Sequence, residues 1–305
     1  MKQVKKMKKI FIVINLILVL FSCQQTKYPT DKNGESQDQM ELKKVSSEIE
    51  KSQKAIDTIT ITYKWTDSKE WLLEHENDTL KQRIVFTINR TDQSNFSRMD
   101  SVVIPNDFSY DFANYLPFPK EINYLKDINK IIFFSYPTQT FAAYEKGVLK
   151  ITGPTNMGRE KYLTPTGLYF TNWKAKVKIS TIDDDWILNW NFNVLNKEGI
   201  GWHEYSLPGY PASHSCLRLQ KKDAEFLYYW ADQWVLADQY SILTKGTPVI
   251  IFGKYDFTSD KPWFKLISNP KSIDITETEM EKIAEPYLTE ILAAQRNKDS
   301  IQILN

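Results

Sequence analysis

The chain has 305 residues, which is enough for one sizeable domain with attached segments. Its 39 basic and 38 acidic residues leave it nearly neutral, which argues against nucleic-acid binding, because that function needs a basic face. Aromatic residues make up 13% of the sequence, a content that supports a stable apolar core.

The first 22 residues have the layout of a secretory signal. Five lysines precede an apolar run, residues 10–21, that is too short to span a membrane comfortably. The Ser22-Cys23 pair that follows resembles the lipobox of bacterial lipoproteins, in which the cysteine becomes the lipidated first residue. We therefore expect a periplasmic protein anchored to a membrane through Cys23, with an uncleaved anchor helix as the alternative. The two glutamines after Cys23 carry no acidic retention signal, which favours the outer membrane.

Two segments separate this leader from a strand-rich region. Residues 23–56 are polar, rich in Lys, Glu, Gln and Ser, and are expected to form a tether. Residues 57–127 are predicted to form a small α/β accessory module, which begins with an alternating strand over 58–63. Its residues 99–105, Met-Asp-Ser-Val-Val-Ile-Pro, resemble the end of LysM glycan-binding modules. A plain packing module is the alternative interpretation.

Residues 128–253 are rich in strand signals, apolar runs bounded by turn residues. After Cys216, the spacing of apolar residues from Phe226 to Trp234 predicts an amphipathic helix. These patterns predict a mainly β domain, a β-sandwich or a barrel-like fold with one main helix. The predicted strands are 130–135, 147–151, 167–173, 186–194 and 247–252.

Residues 254–305 are predicted to form a helical C-terminal extension. Thr276 and Glu279 have capping-box spacing ahead of an apolar stripe. Pro286 lies inside this pattern and should kink or split the helix. We expect the stripe to pack on the body of the protein.

Cys216 is the only cysteine beyond the leader, and it lies in Ser-His-Ser-Cys-Leu-Arg, residues 213–218. His203 lies a short way upstream, so two of the three histidines are close to the thiol in sequence. The thiolate is the reactive form of cysteine, an imidazole can take the thiol proton, and positive charge from Arg218 can hold the thiolate. On a tight turn before a helix, neighbouring backbone N–H groups can hold an oxyanion. The alternative for a lone cysteine is a small buried apolar residue.

Together these residues resemble the signature of the YkuD family of L,D-transpeptidases, a histidine followed by Ser/Thr-His-Gly-Cys and an Arg or Asn two places on. Further resemblance is carried by Thr164-Pro165-Thr166-Gly167, by Asn129 to Gly147 with its Gln139, and by Gly246 to Ile250. The resemblance covers about residues 128–253. It implies a peptidoglycan-modifying enzyme with the mainly β fold predicted above.

The resemblance also implies roles for individual residues. Cys216 is expected to be the nucleophile and His203 the base, with the other ring nitrogen of His203 held by a backbone carbonyl near Glu204. His214 is the alternative base, or lines the oxyanion hole. Arg218 is a pin for the turn, a contact for a substrate carboxylate, or both. Ser213, His214 and Ser215 are expected beside the oxyanion, and Ser213 is also expected to stabilise the turn by hydrogen bonding. The expected substrate contacts are Arg218, Tyr205 and Trp202.

The segment departs from the family pattern at two points. Ser215 occupies the usual glycine position, and a left-handed backbone there costs a serine about 1 kcal/mol. The gap between His203 and Cys216 is short, and residues 207–211, Leu-Pro-Gly-Tyr-Pro, are expected to form a short, stiff loop. The cysteine–histidine spacing fits no structural zinc pattern, so we expect neither a metal nor another cofactor.

The reaction implied by the resemblance is the formation of 3-3 cross-links in peptidoglycan. Cys216 would attack a donor stem peptide, release D-alanine and pass the acyl group to the amine of an acceptor stem. Three alternatives remain open: an L,D-carboxypeptidase or amidase that uses water, an enzyme that attaches an envelope protein to the wall, and a non-catalytic wall-binding lipoprotein. The expected process is cell-wall biogenesis and the maintenance of cell shape.

Overall fold

The computed structural model describes residues 60–180 and 186–304. The predicted signal peptide (1–22), the predicted lipidation site Cys23 and the whole predicted tether (23–56) lie outside the described part of the chain. Thr60–Asn305 group into one compact unit, and the domain boundaries expected near 127 and 253 stay predictions.

The N-terminal part of the described chain places three short helices between two paired strands. The elements are β1 (Tyr63–Asp67), α1 (Ser68–Glu74), α2 (Thr79–Ile88), α3 (Gln93–Phe96) and β2 (Ser101–Pro105). The strand predicted over 58–63 is wrong in position, because residues 60–62 are not in a strand. The antiparallel ladder ends where Tyr63 pairs with Pro105, which has no N–H to donate.

Nine strands of the described chain form one curled sheet, a half-barrel, so the mainly β prediction is confirmed. The strands that follow β2 are β3 (Ile131–Ser135), β4 (Thr140–Glu145), β5 (Val148–Asn156), β6 (Gly167–Phe170), β7 (Lys174–Ile179), β8 (Ile187–Leu195), β9 (Ile200–Glu204), β10 (Leu217–Leu219), β11 (Val235–Leu236), β12 (Ile242–Thr244) and β13 (Pro248–Phe252). In space the sheet runs β6-β13-β3-β4-β5-β10-β9-β8-β7, and β11 and β12 form a separate hairpin. Adjacent strands of the nine-stranded sheet are antiparallel, except for the parallel pairs β13–β3 and β10–β9.

Both faces of this sheet are covered, which explains the continuous apolar run of β3. Ile132 and Phe134 lie in one core with the buried face of the predicted helix after Cys216, α4 (Lys221–Trp230). Ile131 and Phe133 lie in a second core with the C-terminal helices. A strand buried on both faces has apolar residues at successive positions rather than at alternate ones.

The C-terminal extension forms two helices, α5 (Glu277–Ala284) and α6 (Leu288–Leu304). A 3-10 turn that contains Pro286 separates them, so the predicted split is confirmed. The capping box between Thr276 and Glu279 is also present. The buried residues by which these helices join the second core are Met280, Ala284 and Ile291. None of the described helices is both long and apolar enough to cross a membrane.

Strands β9 and β10 are parallel neighbours, and their register places the predicted site residues. Leu217 pairs with Trp202, and Arg218 pairs with His203. Leu217 and Trp202 are fully buried in the first core. Because successive side chains of a strand point to opposite faces, His203 and Arg218 share the other face with Cys216. One face of this strand pair therefore builds the core, and the other builds the candidate site.

Candidate active site

Cys216 lies just before β10, partly exposed, in a narrow pocket on this face of the sheet. Strands β8 and β9, which carry Leu188 and His203 of this pocket, approach each other closely. A Cβ at Gly201 would lie 2.1 Å from the carbonyl oxygen of Phe192, so only glycine allows this contact. The lining residues are Ser180, Trp186, Leu188, His203, Tyr205, Ser213, His214, Cys216 and Arg218.

The turn that presents Cys216 is held by two side-chain hydroxyls. Ser213 Oγ donates to the carbonyl oxygen of Cys216 at 2.6 Å, so the turn-stabilising role predicted for Ser213 is confirmed. Thr164 Oγ1 donates to the carbonyl oxygen of Ser215 at 2.9 Å. Ser215 itself has φ of 78°, the left-handed conformation that favours glycine. The turn therefore keeps its glycine-type geometry with a serine, and the Thr-Pro-Thr-Gly segment supports it.

His203 is oriented by its neighbour in the chain. Its Nδ1 lies 3.0 Å from the carbonyl oxygen of Glu204, as predicted from the sequence. Because a carbonyl can only accept a hydrogen bond, Nδ1 carries the proton and Nε2 keeps its lone pair. Burial lowers the pKa of His203 to about 4, and the charge of Arg218 acts in the same direction. The imidazole is therefore neutral at pH 7 and able to accept a proton.

His214 is held in a different way, which distinguishes the two histidines. Its Nε2 lies 2.6 Å from Nη2 of Arg159, and a guanidinium can only donate. The lone pair of Nε2 is therefore occupied, and the protonated Nδ1 is buried without a hydrogen-bond partner among the described residues. The rings of Tyr162 and Trp186 lie at 4.6 and 5.2 Å from the imidazole. His203 is thus the better placed of the two to act as a base.

At the thiol of Cys216, burial outweighs the neighbouring positive charge. Burial raises its pKa, while a hydrogen bond with the Gly201 backbone and the charge of Arg218 lower it by less. A thiol whose pKa lies above its ordinary range is protonated at pH 7. The resting pair is therefore a neutral thiol and a neutral His203, rather than a thiolate held by positive charge.

Arg218 is partly buried and packs along the rim of the pocket. Its guanidinium carbon lies 4.5 Å from the centre of the Tyr205 ring, and Nη1 donates to the carbonyl oxygen of Ser206 at 3.3 Å. These contacts hold Arg218 to the loop after β9, at residues 205–206, rather than to the turn of Cys216 itself. The guanidinium also lines the pocket, so the predicted contact with a substrate carboxylate is compatible with its position.

With this geometry established, comparison with known proteins assigns the fold family. Residues 129–251 match the family model of the YkuD L,D-transpeptidase catalytic domain. This part of the chain is similar to the YkuD L,D-transpeptidase catalytic domain, and the match covers less than half of the chain. The matched segment agrees closely with the 128–253 predicted from the sequence.

Solved L,D-transpeptidases are similar to this region of the chain. One from Stackebrandtia nassauensis is 23% identical, with a TM-score of 0.35, over 43% of this chain and 58% of that one. One from Mycobacterium smegmatis is 21% identical, with a TM-score of 0.33, over 41% and 59%. L,D-transpeptidase 3 from Mycobacterium tuberculosis, in complex with a faropenem-derived adduct, is 21% identical, with a TM-score of 0.32, over 41% and 61%. The chain thus spans less than two thirds of these structures. No curated protein matches it.

One predicted substrate contact is wrong. Trp202 is fully buried, and its ring packs 4.7 Å from that of Phe192 in the first core. The reason is the strand alternation, since a chain that turns His203 to the pocket turns Trp202 away from it. The other predicted residues, including Tyr205, line the pocket or form its turn. Among the described residues, no group of three or more His, Cys, Asp or Glu could hold a metal ion.

Three residues around His214 were not predicted. Arg159 and Tyr162 come from the loop before Thr164, and Trp186 precedes β8. Their contacts with His214 join parts of the chain that are far apart in sequence, so no local spacing indicates them. The one available signal was the position of Arg159 and Tyr162 beside the Thr-Pro-Thr-Gly segment.

Proposed function

We propose that the protein is a peptidoglycan L,D-transpeptidase that forms 3-3 cross-links through a thioester on Cys216. The observation that carries this proposal is the shared face of Cys216 and His203, with Nδ1 of His203 bound to the Glu204 carbonyl. The match of residues 129–251 to the transpeptidase catalytic domain supports the reaction class.

In the first half-reaction, Nε2 of His203 takes the thiol proton as Sγ of Cys216 attacks the donor carbonyl. Because the resting pair is neutral, proton transfer and attack are coupled. The attacked carbonyl joins the L-centre of a diamino acid to the terminal D-alanine. Backbone N–H groups at Ser215 and Cys216 hold the oxyanion, and one such donor is worth about 3 kcal/mol. The C–N bond then breaks, and the imidazolium proton goes to the amine of the departing D-alanine.

In the second half-reaction, the acceptor amine attacks the thioester carbon. Neutral His203 takes a proton from this amine, and the C–S bond of the new tetrahedral intermediate breaks. The sulfur of Cys216 leaves as a thiolate and recovers its proton from the imidazolium. The product amide joins two stem peptides, and the enzyme returns to its resting state.

The charge around the pocket suits a donor with free carboxylates. Arg159, Lys161 and Arg218 surround His214, and after burial their charges lower its pKa further. We assign the recognition of the terminal D-alanine carboxylate to this group of three cations, the cationic rim. A guanidinium binds a carboxylate through two parallel hydrogen bonds, which adds orientation to attraction.

Incubation with purified muropeptides and mass analysis of the products tests the proposal. Cross-linked dimers that contain a 3-3 bond are the expected result. Trimmed monomers would indicate a carboxypeptidase or amidase, and attachment to an added lysine peptide would indicate a protein-attachment enzyme. Unchanged muropeptides would indicate a wall-binding protein. The Cys216→Ala variant should be inactive, and turnover by this variant would contradict every thioester mechanism.

We also propose that the protein is lipid-anchored in the periplasm, at the outer membrane. The Ser22-Cys23 pair after the apolar run supports this location, and the adjacent glutamines support the choice of membrane. The Cys23→Ala variant should leave the membrane fraction. Unchanged fractionation would contradict the anchor.

A further inference from the structure

The loop that joins His203 to Cys216 is bound by the N-terminal part of the molecule. At Leu207, which is fully buried, three hydrogen bonds cross between these parts. The N–H of Leu207 donates to Asp92 Oδ2 at 2.6 Å, and its carbonyl accepts from the N–H of Asp92 at 3.2 Å and from Thr91 Oγ1 at 2.9 Å. Both backbone groups of Leu207 are therefore satisfied by Thr91 and Asp92, the Thr91–Asp92 clamp.

Contacts on both sides of Leu207 extend this attachment. Asn95 Nδ2 donates to Ser206 Oγ at 2.7 Å, and an isolated bridge joins Thr91 to Pro208. From the other end of the site, Gln220 Nε2 donates to the carbonyl oxygen of Thr91 at 3.0 Å. The loop is therefore held near its start, at residues 206–208, and Gln220, just before α4, is bound to Thr91 as well.

The clamp is itself fixed by the residue before it. Arg90 is fully buried, and its Nε donates to the carbonyl oxygen of Thr138 in the β3–β4 turn at 2.7 Å. Its Nη1 donates to the carbonyl oxygens of Thr87 and Ile88, each at 2.8 Å, and its guanidinium lies 5.0 Å from the ring of Trp263. A side chain held at three carbonyls leaves Thr91 and Asp92 little freedom to move relative to the sheet.

We propose that Thr91 and Asp92 are positioning residues of the reaction, so that the N-terminal segment is a working part of the active site. The inference rests on the proposed function. The loop held at Leu207 also carries Ser206, whose carbonyl binds Arg218, and leads into the turn of Cys216. An unheld loop lets this turn move relative to His203. A misplacement of about 1 Å at a reacting group can cost about 100-fold in rate.

The structure offers a matched pair of variants, because both Asp92 and Asp78 cap helices. Asp92 accepts from the N–H of Asn95, and Asp78 accepts from the N–H of Lys81. A serine can cap a helix equally well. Its side chain is shorter and has a single oxygen, so it cannot also reach the N–H of Leu207. Asp92→Ser therefore removes the hydrogen bond from the N–H of Leu207 and keeps the cap, whereas Asp78→Ser changes a cap alone.

The first measurement is the rate at which Cys216 is acylated by a carbapenem, followed by intact mass. We expect Asp92→Ser to acylate at least about 10-fold more slowly, with kcat for the muropeptide reduced and KM little changed. Asp78→Ser should keep the native rate. Thr91→Val should repeat the defect, and Thr91→Ser, which keeps the hydroxyl, should restore the rate. A folded Asp92→Ser protein that acylates at the native rate would overturn the inference.

The second measurement is hydrogen exchange at the Leu207 amide, which does not depend on activity. We expect faster exchange across residues 205–212 in Asp92→Ser than in the unmutated protein or Asp78→Ser. Unchanged exchange would also overturn the inference. If the unmutated protein forms no acyl-enzyme, the proposed function fails, and exchange alone decides whether the clamp orders the loop. Should Asp92→Ser fail to fold, the Thr91→Val and Thr91→Ser pair gives the same comparison.

Discussion

His203 and Arg218 are paired in register on adjacent parallel strands, so an imidazole and a guanidinium point from one face of the sheet. The proximity of this positive charge, added to burial, keeps His203 neutral in the resting protein. The base of the proposed reaction is therefore available well below neutral pH.

The rate of acylation should be nearly independent of pH between about 5 and 8. The pKa of His203 is about 4, so the imidazole gains a proton, and the rate falls, only as the pH drops through that value. Above this range the rate should increase, because the thiol then ionises directly. The raised pKa of Cys216 places this increase at high pH. Carbapenem acylation followed across pH measures this profile. A rate that halves near pH 6.5 would contradict it.

Replacing the base should change both the size and the shape of this profile. His203→Ala is expected to lose about 10²- to 10⁴-fold in acylation at pH 7. Its residual rate should increase steadily with pH, because the thiol must then ionise without help. His75→Ala is the matched control, since that imidazole stacks on Trp71 outside the pocket. An unaffected His203→Ala rate would identify another base, with His214 as the next candidate.

The left-handed backbone at Ser215 predicts opposite results for two substitutions. Ser215→Gly should keep the stability and activity of the protein, because glycine adopts φ of 78° without strain. Ser215→Val should lower the free energy of unfolding by about 2 kcal/mol, since a β-branched residue is disfavoured there. Urea denaturation measures both. Equal stability of the two variants would show that the strain is relieved elsewhere.

The cationic rim predicts a selective loss of donor binding. Arg159→Ala should raise KM for a tetrapeptide donor about 10-fold, because a charge-assisted contact is removed. The same variant frees Nε2 of His214 from its bond with the guanidinium. Arg296→Ala removes an exposed charge from α6 and should leave KM unchanged. A donor that lacks the terminal carboxylate should not distinguish Arg159→Ala from the unmutated protein.

Asp223 predicts a pH dependence of stability that is separate from the chemistry. It is almost fully buried, Nη2 of Arg83 lies 3.9 Å from its carboxylate, and burial raises its pKa to about 7. Because the folded state holds this proton more tightly than the unfolded state, stability is highest at low pH and falls as pH rises from about 4 to 7. The difference from an ordinary aspartate corresponds to at most about 4 kcal/mol.

Urea denaturation at pH 5 and pH 8 measures this effect. The unmutated protein should be less stable at pH 8, and Asp223→Asn should largely remove the difference. A pH dependence that persists in Asp223→Asn would assign the proton to another group.

Much of the fold was predictable because the signals were local. The apolar runs of β3 and β13, the capping box at Thr276 and the break at Pro286 all follow from short-range patterns. The site residues Cys216, His203 and Arg218 were predictable because they lie within one short segment. The carbonyl of Glu204, which binds Nδ1 of His203, was predictable for the same reason.

What the sequence did not indicate depends on pairing between distant segments. The parallel register of β9 and β10 buries Trp202, although strand alternation beside a pocket-facing His203 already favours this burial. The contacts of Arg159 with His214 and of Asp92 with Leu207 join loops that no periodicity relates. The raised pKa of Cys216 likewise depends on the folded sheet, because burial is its largest cause.

Strand β10 contributes to both the core and the candidate site, because Leu217 and Leu219 are fully buried while Arg218 between them and Cys216 before them line the pocket. A movement of β10 that displaces Cys216 would therefore also disrupt the packing of the core. Substitutions in this strand should therefore lower turnover and thermal stability together. The rate at which a small alkylating reagent labels the thiol should report how much of the protein is folded.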